Sequence, residues 1–263
     1  MKLGAQLFSL RNFLQTEEGT MAVFRACKDM GYESIQYSGK VIATNEDAAL
    51  IRRATEEANI ELANTSFGAQ EIMDDPKAVI EKMDMMGSRY TMVGAMPKEY
   101  RGSREGTEQF LKDMETPTKI LLDAGKIITY HNHAYEFAPL SDANGITMEI
   151  LVGSDMGWQF MLDVCWAVHG GADPLKLMDA MGADRLHQVH FKDMVTEKTE
   201  KGNPIFCPCG KGIVDLTSFY EKCRAFGVQH GFVEQDNAAT LPDPLDEMAQ
   251  SCRYLRTLMG KDG

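Results

Sequence analysis

Ala124-Gly125-Lys126-Ile127-Ile128-Thr129-Tyr130-His131-Asn132-His133-Ala134-Tyr135-Glu136 is the stretch whose reading decides the fold. It follows a long amphipathic run, 104–124, and opens on a glycine of the kind that ends helices in a left-handed turn. One residue later a short run rich in β-branched side chains predicts a strand at 127–132. That run ends in a crowd of ionisable side chains, without a turn between, and a longer polar segment, 133–141, follows. A short turn from helix to strand and a long loop after the strand are the marks of a parallel βα unit. Its long loops gather on one face and carry the chemistry.

The same unit recurs outward in both directions. Strands are predicted at 2–7, 34–37, 60–66, 90–93, 127–132, 159–164, 186–191 and 231–234. Helices are predicted at 20–30, 45–58, 75–86, 104–124, 145–153, 174–181, 216–226 and 244–259. Asp75-Pro76 and Asp173-Pro174 each place a capping carboxylate before a first-turn proline. Gly31, Gly87 and Gly227 close helices just before the next strand. The long segments 133–141, 167–173, 192–214 and 235–243 all follow strands. Eight alternations of about 30 residues predict an α/β fold, a closed (β/α)8 TIM barrel forming one domain over 1–263. An open doubly wound sheet is the alternative that strand count leaves standing.

Composition narrows the function. Of 263 residues, 44% are hydrophobic and 25% charged, an ordinary globular balance with material for a large core. The net charge of −12 repels phosphate backbones and offers anionic lipid no basic patch, which argues against nucleic-acid and membrane partners. No run approaches the roughly 18 apolar residues of a membrane span. The N-terminus reads as a strand rather than a signal peptide, so a cytoplasmic protein is expected. The six cysteines form no CxxC pair and read as free thiols. Cys207-Pro208-Cys209 reads as a loop with two thiols ahead of a redox-sensitive rim or a second metal site. The eighteen methionines read as gap-fillers between barrel and helices.

Four successive strand ends are ionisable: Tyr130-His131-Asn132-His133 with Glu136, Leu162-Asp163 with Trp166, His190-Phe191-Lys192-Asp193, and Val233-Glu234-Gln235-Asp236. Singly, each has an ordinary explanation. An Asp at a strand end is usually a cap, a lone His a satisfied core group, and a Glu a salt-bridge partner. His169, His187 and His230 are read in that way. Jointly the four strand ends point to one shared site, because alternate side chains enter the barrel and inward groups on adjacent strands converge at its mouth. Imidazole and carboxylate together suit Mn²⁺, Fe²⁺, Co²⁺, Zn²⁺ or Mg²⁺.

In these motifs, with Gly171-Ala172-Asp173-Pro174 and Gly210-Lys211-Gly212-Ile213-Val214-Asp215, the chain resembles the xylose isomerase-like TIM barrel superfamily, in its sugar phosphate isomerase/epimerase branch. Keto-sugar epimerases and inosose dehydratases are similar at the same places. The resemblance implies one divalent metal, manganese first, with Mg, Co, Fe or Zn as alternatives. Its ligands would be Asp163, His190 and Glu234, with His131 where those epimerases carry a glutamate, and His133 two residues on. It implies a small sugar or polyol as substrate.

The expected activity is isomerisation or epimerisation of a keto-sugar by α-proton transfer. The alternatives are a lyase that dehydrates an inosose or 3-keto-sugar or cleaves a 3-keto-glycoside, and a non-catalytic sugar-binding barrel or partner-dependent subunit. Glu234, then His133 and Glu136, are the candidate bases, and Lys192 the candidate stabiliser of oxyanion character. Trp166 and Phe8 are candidate apolar walls for a sugar, and Gln6 and Gln36 candidate hydrogen-bonding groups. Arg11, Lys40 and Arg101 are the cations that could meet a phosphate. A homo-oligomer or a partner subunit is compatible with the sequence.

Overall fold

The computed structural model describes residues 1–261. Eight parallel strands close on themselves: β1 (Lys2–Gln6), β2 (Ser34–Tyr37), β3 (Glu61–Ser66), β4 (Tyr90–Val93), β5 (Ile127–His131), β6 (Gln159–Asp163), β7 (Gln188–Phe191) and β10 (His230–Val233). β1 pairs with both β2 and β10, which closes the barrel and rules out the open sheet. All eight predicted strands are present, displaced at their ends by two residues at most.

Around the barrel run α1 (Glu17–Met30), α2 (Asn45–Ala58), α3 (Ala69–Asp74), α4 (Pro76–Met86), α5 (Arg104–Asp123), α6 (Thr147–Gly153), α7 (Val164–His169), α8 (Pro174–Met181), α9 (Leu216–Phe226) and α10 (Pro244–Leu258). The punctuation acts as expected. Asp75 and Asp173 accept main-chain N–H groups at the starts of α4 and α8. Gly31, at φ 101°, takes the left-handed conformation that closes α1 without a Cβ penalty. No helix of the described residues is long and apolar enough to cross a membrane.

Several elements were not read from the sequence. α3 and α7 are short turns between predicted elements, α7 beginning on the last residue of the strand predicted at 159–164, and a 3-10 helix, Leu7–Gln15, follows β1. The stretch after β7, read as a long loop, contains an antiparallel hairpin, β8 (Asp193–Lys198) and β9 (Pro204–Cys207). Its signal was present: the alternation of Met194-Val195-Thr196 faces Ile205-Phe206-Cys207 across the polar turn Glu200-Lys201-Gly202-Asn203.

The core lies between barrel and helices, with a separate apolar plug of Ala63, Met92, Met161 and Phe232. Gly4 makes room for that plug, because a Cβ there would stand 2.4 Å from Phe232 Cδ1. Met161 and Phe232 each lie two residues before a proposed ligand, Asp163 and Glu234. Period-two alternation therefore sets the ionisable layer directly above a packed floor.

Candidate metal centre

β5 and β6 end on His131 and Asp163, β7 carries His190, and Glu234 follows β10 directly. Asp163 and His190 are direct neighbours in register. One donor atom from each of the four side chains lies within 4.8 Å of all the others, and all four residues are buried.

Neighbouring groups aim each donor. His190 Nε2 is 2.6 Å from Gln36 Oε1, an acceptor, so the ring proton sits on Nε2 and the Nδ1 lone pair faces the cluster. His131 Nδ1 is 3.3 Å from the carbonyl of Gly94 and its Nε2 3.4 Å from Asp163 Oδ2, so the ring bridges the strand-four loop and the cluster with Nε2 inward. Asp163 Oδ1 accepts the Trp166 N–H at 2.9 Å and starts α7, leaving Oδ2 to the cluster. Asn132 holds the Asp163 main chain from both sides. Glu234 Oε1 accepts from Gln6 Nε2 at 3.1 Å, leaving Oε2 to the cluster.

His190 Nδ1 and Glu234 Oε2 are 2.9 Å apart, at ion-pair distance, yet neither buried atom makes a hydrogen bond. Two imidazole nitrogens and two carboxylate oxygens converge within 4.8 Å, and two of these atoms, His190 Nδ1 and Glu234 Oε2, are buried without a hydrogen bond, a donor set that fits a divalent cation of the borderline or hard class.

Lys192 completes the electrostatics. Its buried Nζ lies 2.9 Å from Asp163 Oδ2, Glu234 Oε2 and Asp236 Oδ1 alike, beneath the rings of Trp166 and Phe206. Burial opposes ionisation of Asp163 and Glu234, but the Lys192 ammonium together with His131 and His190 outweighs it and holds both carboxyls below their ordinary range. Burial likewise opposes the Lys192 charge, and the three carboxylates override it and push its pKa well up. Burial lowers the His133 pKa to about 3, so that imidazole is neutral. Asp236 is raised, first by burial.

A cavity of about 490 Å³ opens over the cluster, lined by Gln6, Phe8, Arg11, Ser38, Ser66, Met92, Gly94, His131, His133, Lys192, Glu234 and Asp236. It brings together Gln6, Phe8, Arg11, His131, His133, Lys192 and Glu234 of the residues singled out in the sequence.

Others stand elsewhere: Lys40 pairs with Asp47, and Arg101 donates to the Met96 carbonyl and stacks on Tyr135. Glu136 is fully buried away from the cavity, with Oε1 accepting from the Tyr130 hydroxyl at 2.8 Å and Oε2 from the His133 N–H at 2.9 Å. It shapes the turn that presents His133. Gln36 is spent on His190 and on Met92 Sδ. Trp166 packs behind His133 and over Lys192.

Ser38, Ser66 and Asp236 were missed as lining groups. Two of them were legible by alternation, since Ser38 lies two residues past Gln36 and Asp236 two past Glu234. Cys207 and Cys209 are free thiols, partly and fully buried. His187 and His230 make hydrogen bonds to Gln159 and Glu61, and His169 packs against Trp166.

Comparison with solved structures returns the same barrel. A sugar phosphate isomerase/epimerase from Parabacteroides distasonis ATCC 8503 superposes with a TM-score of 0.79 at 18% identity, covering 97% of this chain and 98% of that one. The 3-keto-D-glucoside 4-epimerase of E. coli superposes at 0.68 with 16% identity, covering 98% and 99%. The IOLI protein, solved with a bound zinc atom, superposes at 0.75 with 12% identity, covering 99% of each chain. No curated protein matches the chain in sequence. The family of xylose isomerase-like TIM barrels matches over residues 24–258, which takes in every one of the four converging side chains, and the chain belongs to that family.

Proposed function

We propose that this protein is a divalent-metal-dependent isomerase or epimerase of a keto-sugar or related polyol, working by α-proton transfer in the cytoplasm. One observation carries the reading: His131, Asp163, His190 and Glu234 turn one buried donor atom each toward one point under a sugar-sized cavity. Manganese is the first candidate among Mn, Mg, Co, Fe and Zn. A bound divalent ion supplies Lewis-acid polarisation of a ketone and its neighbouring hydroxyl. Glu234, ionised and oriented by Gln6, removes the proton between them. The Lys192 ammonium faces the negative charge that develops on oxygen. Neutral His133 offers a hydrogen bond to a substrate hydroxyl, and Phe8 an apolar wall.

A lyase reading has its own support. The acid–base groups are unsymmetrical, a carboxylate beside an ammonium, with histidine on the strand-five side. Such a pair can take an α-proton and protonate a departing hydroxyl or glycosidic oxygen. A panel of keto-sugars, inososes and 3-keto-glucosides, supplied with Mn²⁺ in D₂O and followed by NMR, separates the possibilities. Deuterium at the α-carbon without loss of water is the expected result. Loss of water or of an aglycone establishes the lyase. No exchange with any compound leaves a sugar-binding barrel or a partner-dependent subunit.

A further inference from the structure

Arg11 is the one arginine on the cavity wall, and the three-dimensional arrangement around it is specific. Its guanidinium lies 4.2 Å from the centroid of the Phe8 ring, and its Nη1 donates to the Phe8 carbonyl at 2.7 Å and the Asp236 carbonyl at 3.1 Å. Both partners are main-chain oxygens. Asp236 turns its carboxylate to Lys192 instead, and among the described residues no carboxylate pairs with Arg11. The side chain is therefore clamped on one edge and stacked on one face, while the rest of its donor fork is unspent at the cavity. That is a preorganised, uncompensated cation, the arrangement that favours bidentate capture of a planar or tetrahedral oxyanion.

Charge bookkeeping agrees. Arg11 and Lys192 set against Asp163, Glu234 and Asp236 leave the site one unit negative, and a divalent cation reverses it to one unit positive. In a chain of net charge −12, this surplus is local to the cavity.

We infer that the substrate of this site carries an anionic group, a phosphate ester or a carboxylate, held by Arg11 at the end of the cavity where the loops after β1 and β10 meet. The inference rests on the proposed sugar or polyol site but is tested by binding alone, so that a failure of turnover does not touch it. The probes are stable open-chain polyols, sorbitol, sorbitol 6-phosphate and gluconate, titrated calorimetrically into the Mn²⁺-loaded protein. At least one anionic polyol is expected to bind about ten- to a hundredfold more tightly than sorbitol, the range of a hydrogen-bonded charge pair. Whichever anion wins identifies the group.

Arg11→Gln is expected to erase that preference while Mn²⁺ affinity and sorbitol affinity hold, and Arg11→Lys to restore only part of it. Equal affinity of the wild type for all three compounds overturns the inference without need of a variant. So does an Arg11→Gln protein that loses neutral and anionic polyols in equal measure. A preference that survives in Arg11→Gln would assign the anion to the metal instead.

Discussion

Glu234 concentrates the chemistry of the proposed site in one side chain. Its two oxygens are held differently, Oε1 by Gln6 and Oε2 among the donors of the cluster. Glu234→Gln keeps the shape and one metal-binding oxygen but removes the base. Turnover and α-proton exchange are expected to fall by about 10²–10⁴ while substrate affinity is retained. Glu136→Gln is the comparison. The buried Glu136 is removed from the cavity, and its loss should act through the His133 turn and through stability. Exchange at near wild-type rate in Glu234→Gln would move the base to another strand.

His190 gives the pH dependence. Burial lowers its pKa, but the adjacent Glu234 and Asp163 outweigh burial and raise it above the ordinary value in the metal-free cluster. Coordination requires the neutral ring, so protons compete with the ion below that raised pKa. Mn²⁺ affinity is expected to decline as pH falls, beginning above the usual histidine range of about 6.5. An affinity unchanged between pH 8 and 5 would remove histidine from the ligand set. These roles were legible in part: the sequence showed which strand ends were ionisable, whereas the hydrogen bond that commits Gln36 to His190 joins residues 154 positions apart and leaves no local trace.

Among the elements, the hairpin β8–β9 and the turn after it depend on one buried carboxylate. Asp193 Oδ1 accepts the N–H groups of Met194 and Val214, and Oδ2 those of Gly210 and Gly212, at 2.9–3.0 Å. Gly212 must be glycine, since a Cβ there would lie 2.2 Å from Asp193 Oδ1. Asp193→Asn turns one of those acceptors into a donor that faces two N–H groups. A cost of about 3 kcal/mol is expected, in line with hydrogen bonds to a charged, buried partner. Trypsin should then cleave at Lys198 or Lys201 about a hundredfold faster, because cleavage follows the population of the locally opened segment, and resistance equal to the wild type would show that something else pins the segment.

The eight strands and main helices were legible because each carries its own period and caps. The hairpin was passed over because its pairing is secured by Asp193, which in the sequence looked like one more polar residue of the His190-Phe191-Lys192-Asp193 motif. α3 and α7 are too short to show a helical period.

For the molecule as a whole, closure of the barrel brings the four proposed ligands together, so metal occupancy and stability are expected to be coupled. An ion at a hundredfold excess over its dissociation constant stabilises the native state by about 2.7 kcal/mol. For a chain of this size that corresponds to a midpoint shift of about 5–10 °C. Chelation should lower the calorimetric midpoint by that amount, and Asp163→Asn should abolish the response to added Mn²⁺. A midpoint indifferent to chelator and metal alike would refute the site.

Lys192 gives this coupling an unusual character. Three carboxylates already share one ammonium at 2.9 Å each, so the site behaves as an ion exchanger supplied with its own tethered counter-ion. An arriving metal does not neutralise bare charge; it trades places with a positive group that cannot diffuse away. Weakly attracted monovalent ions have nothing to gain from that exchange. Under the proposed function, a divalent metal is therefore expected to be preferred over sodium on charge alone, before any question of coordination number arises.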